Sequence, residues 1–366
     1  MMDRFPEGNA IIYCEGMFGT TNGKTAHGLV RRTDRYRILS VVDSRHAGHD
    51  AGVLLDGKPK NIPILRSIQE AIESTKQGGG LSPSHLVVGL APDGGRLEPE
   101  ARKDVMTGIR LGLHVDSGLH DFLSEDDEIR RLAERQGVRI RDVRKPPLRK
   151  DLHFFSGKIE EVDSLKVALL GTDSAVGKRT TAWILVDALR QAGYSAELVG
   201  TGQTAWMQGA RFGIILDSLI NDFVAGEIEH AVWSAWKDTH PEVIVIEGQG
   251  SLMNPAYPGG LEILAAGRPD VVVLQHAPAR KEYDGFPGYP LHPLEKQIQA
   301  IELVSGKPVI AVTVNHESIE EKDLTAVCSD ITRSVGLPAC DAIVSGVGPV
   351  VDALKSYLKT LPSKIN

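Results

Sequence analysis

The chain is short of cysteine, has no long apolar run, and carries no excess of charge that would commit it to a polyanion. Its three cysteines, Cys14, Cys328 and Cys340, lie far apart in 366 residues. That excludes a disulfide framework or a zinc scaffold and fits a reducing, cytoplasmic setting. No apolar stretch reaches the roughly 18 residues that a membrane span needs, and residues 1–9 are polar, so a soluble protein is expected. Forty-one basic residues against 48 acidic ones give a net charge of −7. Broad binding to nucleic acid or to a membrane surface is therefore not expected. Repeats and low-complexity tracts are missing as well, with glycine and proline spread over turns between apolar runs.

What is present is an α/β pattern long enough for two domains of ordinary size. The basic run Arg144-Lys-Pro-Pro-Leu-Arg-Lys150 contains two consecutive prolines, which can continue neither a helix nor a central strand. A boundary there gives a Rossmann-like domain over 1–145 and a P-loop NTPase-like, doubly wound parallel-sheet domain over 146–366.

The first part opens as a βαβ unit: a buried strand at 10–14, a glycine-bearing turn, a helix through 30, and a strand at 36–43 ending in Asp43. An acidic residue at that point is where a Rossmann domain holds a ribose hydroxyl. The glycines do not follow G-x-G-x-x-G, and Gly23-Lys24-Thr25 has bulky Phe18 where a P-loop needs a small residue. A structural turn is the better reading of it. Further on, the glycines at 78–80 end a helix, 85–89 is a buried strand, and 99–111 and 124–136 read as helices. His114 and His120 flank the end of another strand, with no third ligand at helical spacing to make a metal site.

The strongest signal is Leu165-Lys-Val-Ala-Leu-Leu-Gly171-Thr172-Asp173-Ser174-Ala175-Val176-Gly177-Lys178-Arg179-Thr180-Thr181. A buried strand runs into a small-residue loop and then Gly-Lys at a helix start, the arrangement whose amides cradle a phosphate while the lysine supplies a point charge. Residues 171–180 are therefore expected to bind cofactor phosphates. Two departures matter: five residues separate Gly171 from Gly177 where the pattern has four, and Arg179 stands where a Ser or Thr would hold Mg²⁺. Phosphate binding survives this better than phosphoryl transfer.

Other polar residues gather at expected strand ends. Residues 195–200 form a strand, and 201–206 read as its polar exit loop, with Thr201 and Gln203 expected to touch substrate. Asp217 and Asp222, in a stretch of helical spacing, are candidate general bases, as is His120. Four β-branched residues lead to Glu247-Gly-Gln-Gly250, the position at which P-loop proteins set a carboxylate beside phosphate-bound magnesium. After the strand at 270–276, a loop of some fifteen irregular residues carries Arg280, a candidate anion contact, with Arg211 and Lys281 as further local cations. The strand at 308–314 ends in Asn315, suited to reading a base edge.

Together, Gly171 to Lys178, Glu247 to Gly250 and Asn315 resemble the dethiobiotin synthetase branch of P-loop folds, in which these places contact phosphate, magnesium and adenine. Over nearly its full length the chain is more similar to a two-domain bacterial and archaeal family. The motifs are Ser117-Gly-Leu-His120, the P-loop, Thr201-Gly-Gln-Thr204, Gln275-His-Ala-Pro278 and Val314-Asn-His-Glu317. Some members of that family are described as D-glutamate N-acetyltransferases. The resemblance implies acetyl-CoA as cofactor and a small acidic substrate; a homo-oligomer is expected, and the charge balance argues against a nucleic acid or membrane partner. An ATP- and Mg²⁺-dependent ligase or kinase, and a nucleotide-responsive binding protein without catalysis, are the alternatives.

Overall fold

The computed structural model describes residues 5–77 and 81–359. The glycines at 78–80, expected to end a helix, lie outside the described residues. The chain forms two compact units, Met1–Pro146 with Gln203–Gly209, and Pro147–Gly202 with Ala210–Asn366. Both are parallel-sheet α/β folds, as the sequence predicts.

Six strands make the first sheet: β1 (Gly8–Tyr13), β2 (Tyr36–Val42), β3 (Ile64–Leu65), β4 (His85–Val88), β5 (His114–Ser117) and β6 (Ile140–Asp142). Their order is β3-β2-β1-β4-β5-β6, the Rossmann order, in which sheet growth reverses between β1 and β4. Central parallel strands are covered on both faces. Ala10–Tyr13 and all of β4 are accordingly buried. The helices are α1 (Lys24–Arg31), α2 (Ala51–Asp56), α3 (Ile68–Gln77), α4 (Pro99–Arg110) and α5 (Asp127–Gln136). The last begins three residues later than its charge pattern suggests because Asp126 takes the N-cap, accepting from the amides of Glu128 and Ile129. It ends on Gly137 at φ 63°, a left-handed residue that glycine adopts without a Cβ clash.

The second sheet has seven parallel strands: β7 (Leu165–Gly171), β8 (Ala196–Gly200), β9 (Phe212–Gly213), β10 (Val243–Glu247), β11 (Val271–His276), β12 (Val309–Val314) and β13 (Ala339–Asp341). They run β13-β12-β11-β7-β10-β8-β9. Every residue of β7 is buried, and its register pairs Leu169 with Glu247 on one side and Gly171 with Gln275 on the other. The carboxyl ends of β10 and β11 thereby flank the loop that leaves β7. Helix α6 (Lys178–Gln191) follows that loop, and α8 (Asn221–Thr239), α9 (Gly260–Gly267), α10 (Leu294–Ser305), α11 (Leu324–Val335) and α12 (Gly348–Leu358) complete the unit. No helix among the described residues is long and apolar enough to cross a membrane.

One expectation is corrected. Residues 201–206 read as an irregular exit loop, but Gln203–Gln208 is a helix, α7, and it belongs to the first unit. Met207 is fully buried in that unit's core. The Arg35 guanidinium lies 3.7 Å from the Trp206 ring, and Gln208 Nε2 donates to the carbonyls of Gly28 and Arg32. A six-residue helix has no stability of its own. Tertiary contacts such as these hold it.

Candidate functional site

The P-loop forms where β7 ends. Ala175 sits at φ 53° and Gly177 at φ 97°. The first turns the chain at a conformational cost of the kind stored at functional sites; the second is reached readily only by glycine. The chain then enters α6, whose first amides have no intrahelical acceptor and carry the positive end of the dipole. This brings residues 171–180 into one strand-to-helix turn.

Lys178 is folded back into the loop. Its Nζ donates to Asp173 O at 2.6 Å and Gly250 O at 2.7 Å. Its stem passes over two glycines: a Cβ on Gly171 would stand 2.8 Å from Lys178 Cδ, and one on Gly248 would stand 3.0 Å from it. Burial lowers the ammonium to about 8, against the pull of Asp173 and Glu247.

Glu247 ends β10 and is 4% exposed. Its carboxylate accepts the Thr201 amide at 2.9 Å, and Thr201 Oγ1 donates to the Glu247 carbonyl. Burial raises its pKa, while the charge of Arg179, the Thr201 amide and Lys178 oppose the rise. The charge of Arg179 thus acts on the carboxylate that was expected to stand beside magnesium. Among the described residues no group of three or more His, Cys, Asp or Glu side chains is arranged to hold a metal. An arginine in place of the magnesium-holding hydroxyl supplies no oxygen ligand, and Mg²⁺ is held through oxygen.

Asp173 organises the rest of the loop, a role its sequence position did not reveal. Fully buried, it accepts the Ser174 amide at 2.7 Å, Asn254 Nδ2 at 2.8 Å, the Asp284 amide at 2.8 Å and Arg280 Nη1 at 2.8 Å. Arg280 therefore does stand at the P-loop. Burial works against its charge, but hydrogen bonds to Glu317 and Asp173 outweigh it and raise the pKa. Asn315 Nδ2 donates to Val176 O at 3.0 Å and its Oδ1 accepts the Glu317 amide at 2.9 Å, so its amide braces the loop. Gln275 was legible only as part of a family motif. Its Oε1 accepts from Thr181 and Thr313 hydroxyls, both at 2.6 Å, joining α6 to β12.

Of the other expected residues, Gln203 and His120 belong to the first unit and Asp217 and Asp222 to the second. Gln203 opens α7 and its Cγ lies 2.6 Å from where a Cβ on Gly118 would be, both in the first unit. Asp217 is exposed in a short 3₁₀ turn, Leu216–Ser218. Asp222 is exposed in the first turn of α8, where a carboxylate complements the helix dipole. The single helix suggested by their spacing is two elements. His120 is exposed after β5, its amide donating to Gly95 O at 2.9 Å.

In the first unit Asp43 is fully buried. It accepts the amides of Gly16 at 3.2 Å and Phe18 at 3.0 Å and contacts His46 Nδ1 at 3.0 Å. Those loop amides hold the protein's own carboxylate, so Asp43 does not present itself to a ribose as its strand-end position suggested.

Residues 153–351 match the P-loop domain, and residues 44–146 the Rossmann-like domain, of a family described as DUF1611, domains of unknown function. A curated protein of Tritonibacter scottomollicae named D-glutamate N-acetyltransferase is 30% identical over 77% of this chain and 84% of its own length. One of the same name from a Pseudoalteromonas species is 30% identical over 73% and 80%. The crystal structure of a DUF1611 family protein from Anabaena variabilis superposes with a TM-score of 0.87 at 28% identity, covering 96% of this chain and all of that one. With both family domains in order, and a solved relative matching it nearly end to end, the chain belongs to the DUF1611 family.

Proposed function

We propose that the protein is an N-acetyltransferase that moves acetyl from acetyl-CoA to the amino group of a small acidic amino acid such as D-glutamate. The observation that carries this reading is a P-loop that has its turn glycine and buried lysine in place and lacks its metal-holding hydroxyl. Gly177 at φ 97° and buried Lys178 support a phosphate-binding reading, while Arg179 stands where a metal-holding hydroxyl would be. Such a loop suits a cofactor held by its phosphates and not cleaved at them, and coenzyme A offers a 3′-phosphate and a pyrophosphate. The names of the two curated relatives support the same chemistry.

Acetyl-CoA supplies an activated thioester carbonyl. In the transfer a carbon–nitrogen bond forms, the carbon–sulfur bond breaks, the amine gives up a proton and the thiolate takes one. Residues 171–180 would orient the cofactor, and Arg280 and Thr201 are the substrate contacts in this reading. His120, Asp217 and Asp222, all exposed, are the side chains to test as acceptor of the amine proton. Loss of about 100-fold or more in kcat in one of His120→Gln, Asp217→Asn or Asp222→Asn, with KM little changed, would identify it.

The test is turnover of D-glutamate with acetyl-CoA in EDTA and without ATP, read as N-acetyl product by mass spectrometry and as released thiol. Strict need for ATP and Mg²⁺ with ADP release would replace this reading by a ligase of the dethiobiotin synthetase type. Tight nucleotide binding without any turnover would replace it by a nucleotide-responsive binding protein.

A further inference from the structure

Arg280 has two edges with unlike partners. Nη1 donates to Asp173 Oδ2 at 2.8 Å and Ser174 O at 2.7 Å, which fastens the guanidinium to the P-loop. Nε and Nη2 face Glu317 in a bidentate pair, 3.1 Å to Oε1 and 2.8 Å to Oε2. The two carboxylates differ in what holds them. The Asp173 side chain is 0% exposed and the Glu317 side chain 41%. Breaking a buried pair strands an unsolvated charge, whereas releasing a half-exposed carboxylate into water costs little. Arg280 itself is only 12% exposed, so its position is fixed while its outer partner is exchangeable.

We propose that the Nε/Nη2 edge of Arg280 is an anion subsite taking a pair of carboxylate or phosphate oxygens from the ligand, and that Glu317 is the internal carboxylate occupying it until the ligand takes its place. The fork of a guanidinium matches either group. Glu317 is kept near by its backbone, whose amide is held by Asn315 Oδ1, so its side chain leaves while the loop stays. An internal competitor reduces apparent affinity by the fraction of time it vacates the site, and it favours ligands that bind bidentately over those with one weak acceptor. The inference rests on the reading of this site as one for an anionic cofactor and an acidic substrate, and it adds the residue that sets the threshold for entry.

The test is calorimetry on the full chain with D-glutamate, coenzyme A, 3′-dephospho-coenzyme A and inorganic phosphate as probes, comparing the native protein with Glu317→Gln. Tightening by roughly threefold to tenfold is expected for the anion that uses the edge. Tightening for D-glutamate assigns the edge to the substrate carboxylate. Tightening for coenzyme A but not its 3′-dephospho form assigns it to the cofactor phosphate. Unchanged or weaker binding of every probe overturns the proposal. If Glu317→Gln fails to fold, the native protein decides: the ¹⁵N resonance of Arg280 Nε, assigned by its loss in Arg280→Lys, should move on saturation with one of these probes, and no movement overturns the subsite. No acetyl donor is used, so tightened binding without acetyl transfer in any assay would sink the proposed activity and leave the subsite. Transfer with unaltered binding would do the reverse.

Discussion

Lys178 concentrates the chemistry of the P-loop in one ammonium, and its burial makes it sensitive to pH. Under the proposed function Lys178→Ala would remove a charge-assisted contact to phosphate and should weaken coenzyme A binding by about 2 to 4 kcal/mol, with the far-ultraviolet spectrum unchanged. Calorimetry showing equal affinity would remove the residue from the site. In the native protein the ammonium loses its proton above about 8, while ligand phosphates are fully ionised there already. Affinity should be constant between about pH 7 and 8, above the second phosphate ionisation near about 6, and fall as pH rises through about 8, and Lys178→Ala should flatten that fall. A bound phosphate stabilises the ammonium, so the fall should begin at higher pH when ligand is saturating.

Two elements should betray their construction in stability measurements. His276, at the end of β11, contacts Thr172 Oγ1 through Nδ1 at 3.0 Å. Burial lowers its pKa to about 4 in spite of attraction from Glu295. The unfolded chain takes that proton near 6.5, so between these values the unfolded state binds more protons and stability falls as pH drops. His276→Gln should reduce the acid loss, by up to about 3 kcal/mol, as read by urea unfolding at neutral pH and near pH 4.5. The second element is α8, against which residues 153–159 are strapped. Glu227 accepts the His153 amide at 2.6 Å, and Glu229 accepts the amides of Ser156 at 2.6 Å and Ile159 at 3.2 Å. Gly226 allows this approach, since a Cβ there would meet His153 O at 2.0 Å. Gly226→Ala should therefore cost about 1 to 3 kcal/mol, although alanine is the better helix former. A stabilised variant would show that the strap is not packed this way.

At the scale of the whole molecule, the first unit is completed by a segment that the chain supplies from the middle of the second unit's sequence. Met207 fills its core, and the amide of Asp34 donates to Gln208 O at 2.9 Å. Met207→Ala should cost about 2 to 5 kcal/mol. The loss should appear in hydrogen exchange at α1 and β1 and not at β8, its neighbour in sequence. Deprotection confined to β8 would contradict the assignment. A fragment ending at residue 146 should likewise unfold at lower denaturant than the first unit does in the full chain.

What the sequence determined by itself was whatever local pattern enforces. Seven buried residues ending in Gly171, a small-residue loop and Gly177-Lys178 can form little but a strand, an anion-binding turn and a helix. Glu247 after four apolar residues can sit only at a strand end. Paired prolines at 146 and 147 rule out continued helix or central strand. Tertiary structure decided what each polar side chain found across the sheet. Asp173 and Arg280 are 107 residues apart, Thr25 and Thr204 are 179 apart, and no periodicity records such pairings. Asp43 occupies a ribose-binding position in the sequence, yet its carboxylate is held by loop amides. Asp217 and Asp222 have helical spacing, yet fall in separate elements. The physical reason is the same in each case: hydrophobic period fixes which face of an element is buried, while the partners of a buried charge are chosen by whichever strand ends the fold brings beside it.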